Sequence, residues 1–163
     1  MTQRLAGTCD AVLAVYTDPD FYPRLDGLPK IGRPRVLDRK VDGDRVTMRV
    51  HYTFVASLPS AALAVIDPDR LTWVEETTYD LAAKRSATRL LPDHYPDRLT
   101  ASATATFTPD PNDPNRSVRR IVGEVDVRMA FVGGKVERAI VEGFEEHLAD
   151  EERIVNAYLA SRG

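Results

Sequence analysis

Cysteine is almost absent from this chain of 163 residues, Cys9 being the only one. That excludes an internal disulfide and any zinc site built on several thiolates. Histidine is scarce too, and His51, His94 and His147 do not stand at metal-ligand spacing to one another, so neither a metal nor another cofactor is expected. Apolar runs such as Ala61 to Ile66 are short, far from the ~18 residues of a membrane-crossing helix. Met1 to Gly7 has no basic start followed by an apolar segment, the pattern of a secretory signal, and a cytoplasmic location is the expectation.

An excess of basic residues is also missing. The formal net charge is -3, and binding to phosphate backbones needs a clustered basic face. Most of the arginines at 33, 35, 39, 85, 89, 116, 119 and 120 stand singly on a strand or are interrupted by acids and read as solvated positions, so nucleic acid is not an expected partner. With 43% apolar and 29% charged residues, the composition is that of one globular domain over 1–163. A chain of this size buries roughly 68 to 70% of its unfolded surface.

Signatures of several enzyme classes are lacking. There is no GxxxxGK[ST] or GxGxxG, and Gly133-Gly134-Lys135 has neither the upstream glycine nor the following hydroxyl of a phosphate loop. No serine lies in GxSxG, and Cys9 has no identifiable histidine partner.

What is present is periodicity. Thr8 or Asp10 can cap a short helix through Tyr16, and Asp18-Pro19-Asp20 can start a second carrying Phe21, Tyr22 and Leu25. Thr2 to Gly7 is short enough to be a leading edge strand. From Arg35 the period becomes two. Val36 to Val41 leads through Asp42-Gly43-Asp44 into Arg45 to Val55, where Val46, Met48, Val50, Tyr52 and Phe54 share one face. Leu71 to Leu81 places Trp73, Glu75, Thr77 and Tyr79 together, and Lys84 to Leu91 is a further strand. Leu99 to Thr108 groups Ala101, Ala103, Ala105 and Phe107, and Arg119 to Ala130 groups Ile121, Val125, Val127 and Met129. The proline-rich stretch from Pro109 to Asn115 reads as an exposed hairpin loop, and the segment from Ser57 to Arg70 as a cover over the core or a cavity mouth. After Gly133-Gly134, Val136, Ile140, Phe144, Leu148, Val155 and Leu159 recur at helical spacing. About 25 such residues span roughly 38 Å, enough to cross a sheet. The acids of this helix, including Glu151, read as its solvated face. The fold class is α+β, a curved antiparallel sheet closed by one long C-terminal helix.

Glu75 stands apart among the acids because it shares a strand face with Trp73, Thr77 and Tyr79. If that face is inward, the carboxylate must find a partner or accept a raised pKa; if it is outward, Val74 is buried instead. His51 lies on the face opposite Met48, Val50 and Tyr52 and reads as a surface residue, His94 falls in a turn, and His147 lies on a mostly polar side of the helix.

The segment Val127-Arg128-Met129-Ala130-Phe131-Val132-Gly133-Gly134-Lys135-Val136-Glu137 and the long helix with Glu151-Glu152 near its end carry a resemblance. With Thr17-Asp18-Pro19-Asp20-Phe21-Tyr22 and the strand around Trp73, the chain resembles an actinobacterial family labelled a domain of unknown function. That family falls within the START-like superfamily of SRPBCC, polyketide-cyclase-type and birch-pollen-allergen-like proteins. The resemblance implies a helix-grip fold with two short helices after the first strand, and an apolar pocket between sheet and helix that receives a lipid, polyketide or aromatic compound.

A small apolar or amphipathic molecule is accordingly the expected partner. Met48, Tyr52, Phe54, Trp73, Tyr79, Phe107, Met129, Ile140 and Phe144 are the candidate ligand-binding residues, because bulky apolar groups on inward faces either fill a core or line a pocket. The alternatives are a polyketide cyclase or dehydratase-like enzyme, with Glu75 as proton acceptor and Tyr79 as hydrogen-bond donor, and a structural or interaction module that forms a homodimer through a sheet edge or the helix.

Overall fold

The computed structural model describes residues 1–55, 63, 67–128 and 133–162. Strand β1 (Thr2–Leu5) is followed by helix α1 (Cys9–Tyr16) and a 3-10 helix (Pro19–Leu25). Six strands come next: β2 (Arg35–Asp42), β3 (Arg45–Thr53), β4 (Thr72–Asp80), β5 (Arg85–Pro92), β6 (Leu99–Asp110) and β7 (Asp113–Val127). The long helix α2 (Gly133–Ala160) ends the chain. No helix among the described residues is long and apolar enough to cross a membrane.

Local chemistry sets the first two turns. Thr8 adopts an extended backbone and its side chain accepts from the Ala11 N–H, capping α1. Asp18 does the same for the Asp20 N–H at 3.0 Å, with Pro19 next to it where a missing N–H removes no helix bond. The β2–β3 hairpin turns at Gly43, whose φ of 57° lies in the left-handed region that glycine enters without strain.

The seven strands form one antiparallel sheet in the order β1-β7-β6-β5-β4-β3-β2. Strands β2 to β7 follow each other as a meander, and β1 adds to β7 with Gln3 opposite Arg119. Alternation decides the faces. On β3 the inward set is Val46, Met48, Val50 and Tyr52, each no more than 4% exposed. The register aligns these with Tyr79, Thr77, Glu75 and Trp73 of β4, so Glu75 faces inward. Helix α2 lies across this concave face, in the helix-grip arrangement that the resemblance implies.

Two sequence readings are corrected. The proline-rich stretch does join β6 to β7 as a hairpin, but the loop is shorter than Pro109 to Asn115: β6 runs to Asp110 and β7 begins at Asp113, leaving two residues between them. Pro109 is tolerated because β5 has ended as a neighbour at Thr106, so beyond that point its missing N–H removes no ladder bond. The helix, in turn, includes Gly133 and Gly134 rather than starting after them. Most of the segment from Ser57 to Arg70 lies outside the described residues.

Candidate functional site

The concave face divides into a closed end and an open middle. At the closed end, α1, the 3-10 helix and the last turns of α2 pack on the sheet, and Leu5, Val12, Phe21 and Val155 have no exposed surface. A second, smaller apolar cluster, Val127 with Val136 and the partly buried Leu99, Val125 and Ile140, sits under the first turns of α2. Among the described residues these two clusters are separate. Between them, inward-facing Glu75, Thr88, Ala101 and Ala103 of the sheet and Phe144 of α2 are only half-buried. Small side chains explain part of this: Ala101 and Ala103 of β6 stand opposite Val125 and Gly123 of β7. At Gly123 an added Cβ would come within 2.9 Å of the Ser102 carbonyl oxygen, so a residue without a side chain is needed for the strands to approach as they do.

At the boundary of the closed end lies a buried polar cluster. Arg119 Nη1 of β7 donates to Glu151 Oε1 at 2.8 Å, to the Tyr16 hydroxyl at 2.9 Å and to Gln3 Oε1 at 3.1 Å. Tyr16 donates to the same Glu151 oxygen at 2.8 Å. Gln3 Nε2 donates to the Leu148 carbonyl at 2.6 Å. The guanidinium also lies over the Tyr16 ring, 4.5 Å from its centroid. Burial by itself would lower the Arg119 pKa, but Tyr16 and Glu151 outweigh it and hold the guanidinium above its ordinary value. Burial raises the Tyr16 hydroxyl well above its usual range.

Glu75 projects from the middle of β4 into the open region. Its cross-strand neighbours are Val50 and Leu90, both apolar. Its one hydrogen bond among the described residues is from the Thr77 hydroxyl at 3.4 Å, and Thr77 is also engaged with Thr88 at 2.9 Å. Burial, reinforced by the Glu151 charge and opposed by Arg119 and Thr77, pushes the Glu75 carboxyl up to about 7. The residue nevertheless keeps accessible surface. Both observations fit a carboxyl that lies between sheet and helix and is only partly packed.

Beside it, Tyr52 stacks on Trp73 with centroids 5.8 Å apart, and the His147 ring meets Tyr52 edge-on at 6.4 Å. Trp73 Nε1 and His147 Nδ1 are buried without a hydrogen-bond partner among the described residues. Burial lowers the His147 pKa and favours the neutral imidazole. His147, Glu146 and Asp150 of α2 form a shallow recess with Leu28, Pro29 and Lys30.

Of the candidate residues, Tyr52, Trp73 and Tyr79 are buried in the main core cluster, Ile140 packs against the smaller cluster, and Glu75 and Phe144 are half-buried between the two. Met48 and Phe107 are fully packed in the main core, and Phe54 is partly buried against it. Met129 lies outside the described residues. Tyr79 stacks on Tyr16 at 6.3 Å in the closed end, two inward positions along the strand from Glu75. Three readings of the surface change. Arg119 and Glu151, which their charge assigns to solvent, are each 8% exposed, and His147 is half-buried against Tyr52 rather than on a polar side. The signal was in the spacing: Arg119 shares parity with Ile121 and Val125, and Glu151 falls between Leu148 and Val155 on the apolar stripe. His51 does face outward, with Nε2 2.7 Å from Asp93 Oδ2.

A START superfamily protein from Mycobacterium smegmatis superposes with a TM-score of 0.53 at 15% identity, covering 100% of this chain and 97% of its own. An 18 kDa protein from Caulobacter crescentus gives 0.52 at 18% identity over 99% and 92% of the two chains. A Chromobacterium violaceum protein gives 0.57 at 13% identity over 96% and 94%. At these identities the likeness is one of fold, the START-like helix-grip fold. No curated protein matches the sequence. A family profile does, over residues 1–159, and the chain belongs to that family, DUF2505, described as a protein of unknown function.

Proposed function

We propose that this protein binds a small apolar or amphipathic molecule, a lipid, polyketide or aromatic compound, between the concave face of the sheet and the middle of α2. The observation that carries this reading is the gap between the two apolar clusters, where inward-facing Ala101, Ala103 and Phe144 keep accessible surface. Apolar groups at the centre of a fold are normally closed over by their neighbours, because interiors pack to the density of organic crystals. Among the described residues this strip is not closed over, and with Tyr52 and Trp73 beside it, it suits a ligand that completes the packing. The START-like fold supports the same reading.

Native mass spectrometry of protein purified gently from its source, followed by extraction of bound compounds, tests it. A stoichiometric apolar or amphipathic adduct is expected. Protein that is free of adducts, and that takes up no apolar compound on titration, would overturn the reading.

A second reading, a polyketide cyclase or dehydratase-like enzyme, draws on Glu75, whose carboxyl near neutrality suits proton transfer. It requires turnover of a bound compound that Glu75→Gln abolishes while binding persists.

A further inference from the structure

Glu75 is a carboxyl with too few partners. Among the described residues it forms no ion pair, and its hydrogen bond from Thr77 is long at 3.4 Å. Arg119 Nη1 is engaged by Glu151, Tyr16 and Gln3, its Nε is buried without a partner among the described residues, and no bond joins the guanidinium to Glu75 among them. A buried carboxylate in this condition is costly unless a cation or several donors reach it. The groups that face it across the interior are Arg119 of β7, Glu151 and His147 of α2, Tyr52 of β3, Tyr79 of β4 and Tyr22 of the 3-10 helix. Arg119 and Glu151 offset one another, His147 is held neutral and the tyrosines stay protonated. The interior therefore carries one uncompensated negative charge whenever Glu75 is ionised.

We infer that the ligand of this site is a cationic amphiphile, a primary amine on an apolar body, whose ammonium group is received by the Glu75 carboxylate. This rests on the interior being a ligand site, as proposed above. The ammonium group supplies up to three donors to a carboxylate that has one weak bond, and charge-assisted bonds of this kind are the strong ones. An alcohol would supply a donor but leave the charge uncompensated, and a carboxylic acid would add a like charge. The apolar body would lie along Tyr52, Trp73 and Phe144.

Calorimetric titration of the full chain with naphthylmethylamine, naphthylmethanol and naphthoic acid tests the inference, since the three share a body and differ in head group. The amine is expected to bind about tenfold or more tightly than the alcohol at pH 8, with the acid weakest. Its affinity is expected to rise about tenfold from pH 6 to pH 8 as Glu75 ionises, while the alcohol's rises little. In Glu75→Gln and Glu75→Leu, the amine's advantage and its pH dependence should both vanish, its affinity falling to about that of the alcohol for the same variant. Equal affinities for the three compounds, tighter binding of the acid, or an amine preference that survives both substitutions would overturn the inference and leave the apolar site standing. Failure of all three to bind overturns the inference, and together with adduct-free native protein it overturns the site as well.

Discussion

Arg119 Nη1 lies 2.8 Å from Glu151 Oε1, so the one buried ion pair among the described residues joins β7 to α2 at the boundary between closed core and open interior. Both side chains are about nine-tenths buried. Tyr16 donates to the same carboxylate oxygen, and Gln3 to the helix carbonyl of Leu148. Four elements are thereby fixed to one another: β1 and α1 from the start of the chain, and β7 and α2 from its end. The cluster gives α2 a defined seat at its C-terminal half, while the half beginning at Gly133 rests on the smaller apolar cluster.

Removing one partner of this pair should be far worse than removing both. Arg119→Met leaves the Glu151 carboxylate buried without its cation, and a loss of about 3–5 kcal/mol is expected in urea denaturation. The double variant Arg119→Met/Glu151→Met should recover much of that loss, because neither charge is then stranded. Additive effects of the two single substitutions would show that the pair is not coupled.

Glu75 gives the fold a pH dependence of opposite sign to that of an ordinary ion-paired acid. Its folded-state pKa, about 7, is above the value of 4.5 for a free carboxyl. Between these values the native state binds the proton and the unfolded state does not. Stability therefore falls as pH rises through that window, by about 3 kcal/mol at most for a shift of this size. Glu75→Gln should flatten the profile between pH 4.5 and 7 and be the more stable protein at pH 8. Chemical denaturation of both proteins across that range checks it. A variant whose stability parallels the parent at every pH would show that Glu75 is not desolvated.

The strands were legible because inward and outward side chains differ in kind. Val46, Met48, Val50 and Tyr52 alternate with Thr47, Arg49 and His51, and the register follows from keeping the first set inside. Glu75 was ambiguous for the same reason: a carboxyl on an otherwise inward parity contradicts the pattern that assigns the face. The buried positions of Arg119 and Glu151 contradict it as well, although each stands at the spacing of its apolar neighbours. Charge type argued for the surface and position for the interior, and in the fold position prevails because the two charges meet each other. The loop at Pro109 reads longer than it is because proline is a turn former by local preference. Its tolerance at the end of β6 depends on where β5 stops, which is a property of the sheet.

Gly123 should resist substitution. Gly123→Ala places a Cβ 2.9 Å from the Ser102 carbonyl oxygen and 3.2 Å from the Ala103 Cβ. The first contact is with backbone, which cannot rotate away, so β6 and β7 must separate locally. A loss of about 1–3 kcal/mol is expected, the range for overpacking, read as a lowered urea midpoint with an unchanged slope. A variant as stable as the parent would mean that the two strands yield at this point without loss.

Phe144 distinguishes a ligand site from an ordinary core. It lies on the apolar stripe of α2 and is half-buried, between the packed Val136 and Val155. If the space before it receives a ligand, Phe144→Trp extends the ring into that space, so naphthylmethanol binding should weaken by about tenfold while stability changes by less than about 1 kcal/mol. If the interior instead closes tightly around Phe144, the same enlargement overpacks the core and destabilises by about 1–3 kcal/mol. Calorimetric binding and urea denaturation of the one variant therefore give opposite patterns. Marked destabilisation with unchanged binding would remove Phe144 from the site and place any ligand farther along the sheet, toward Glu75 and Trp73.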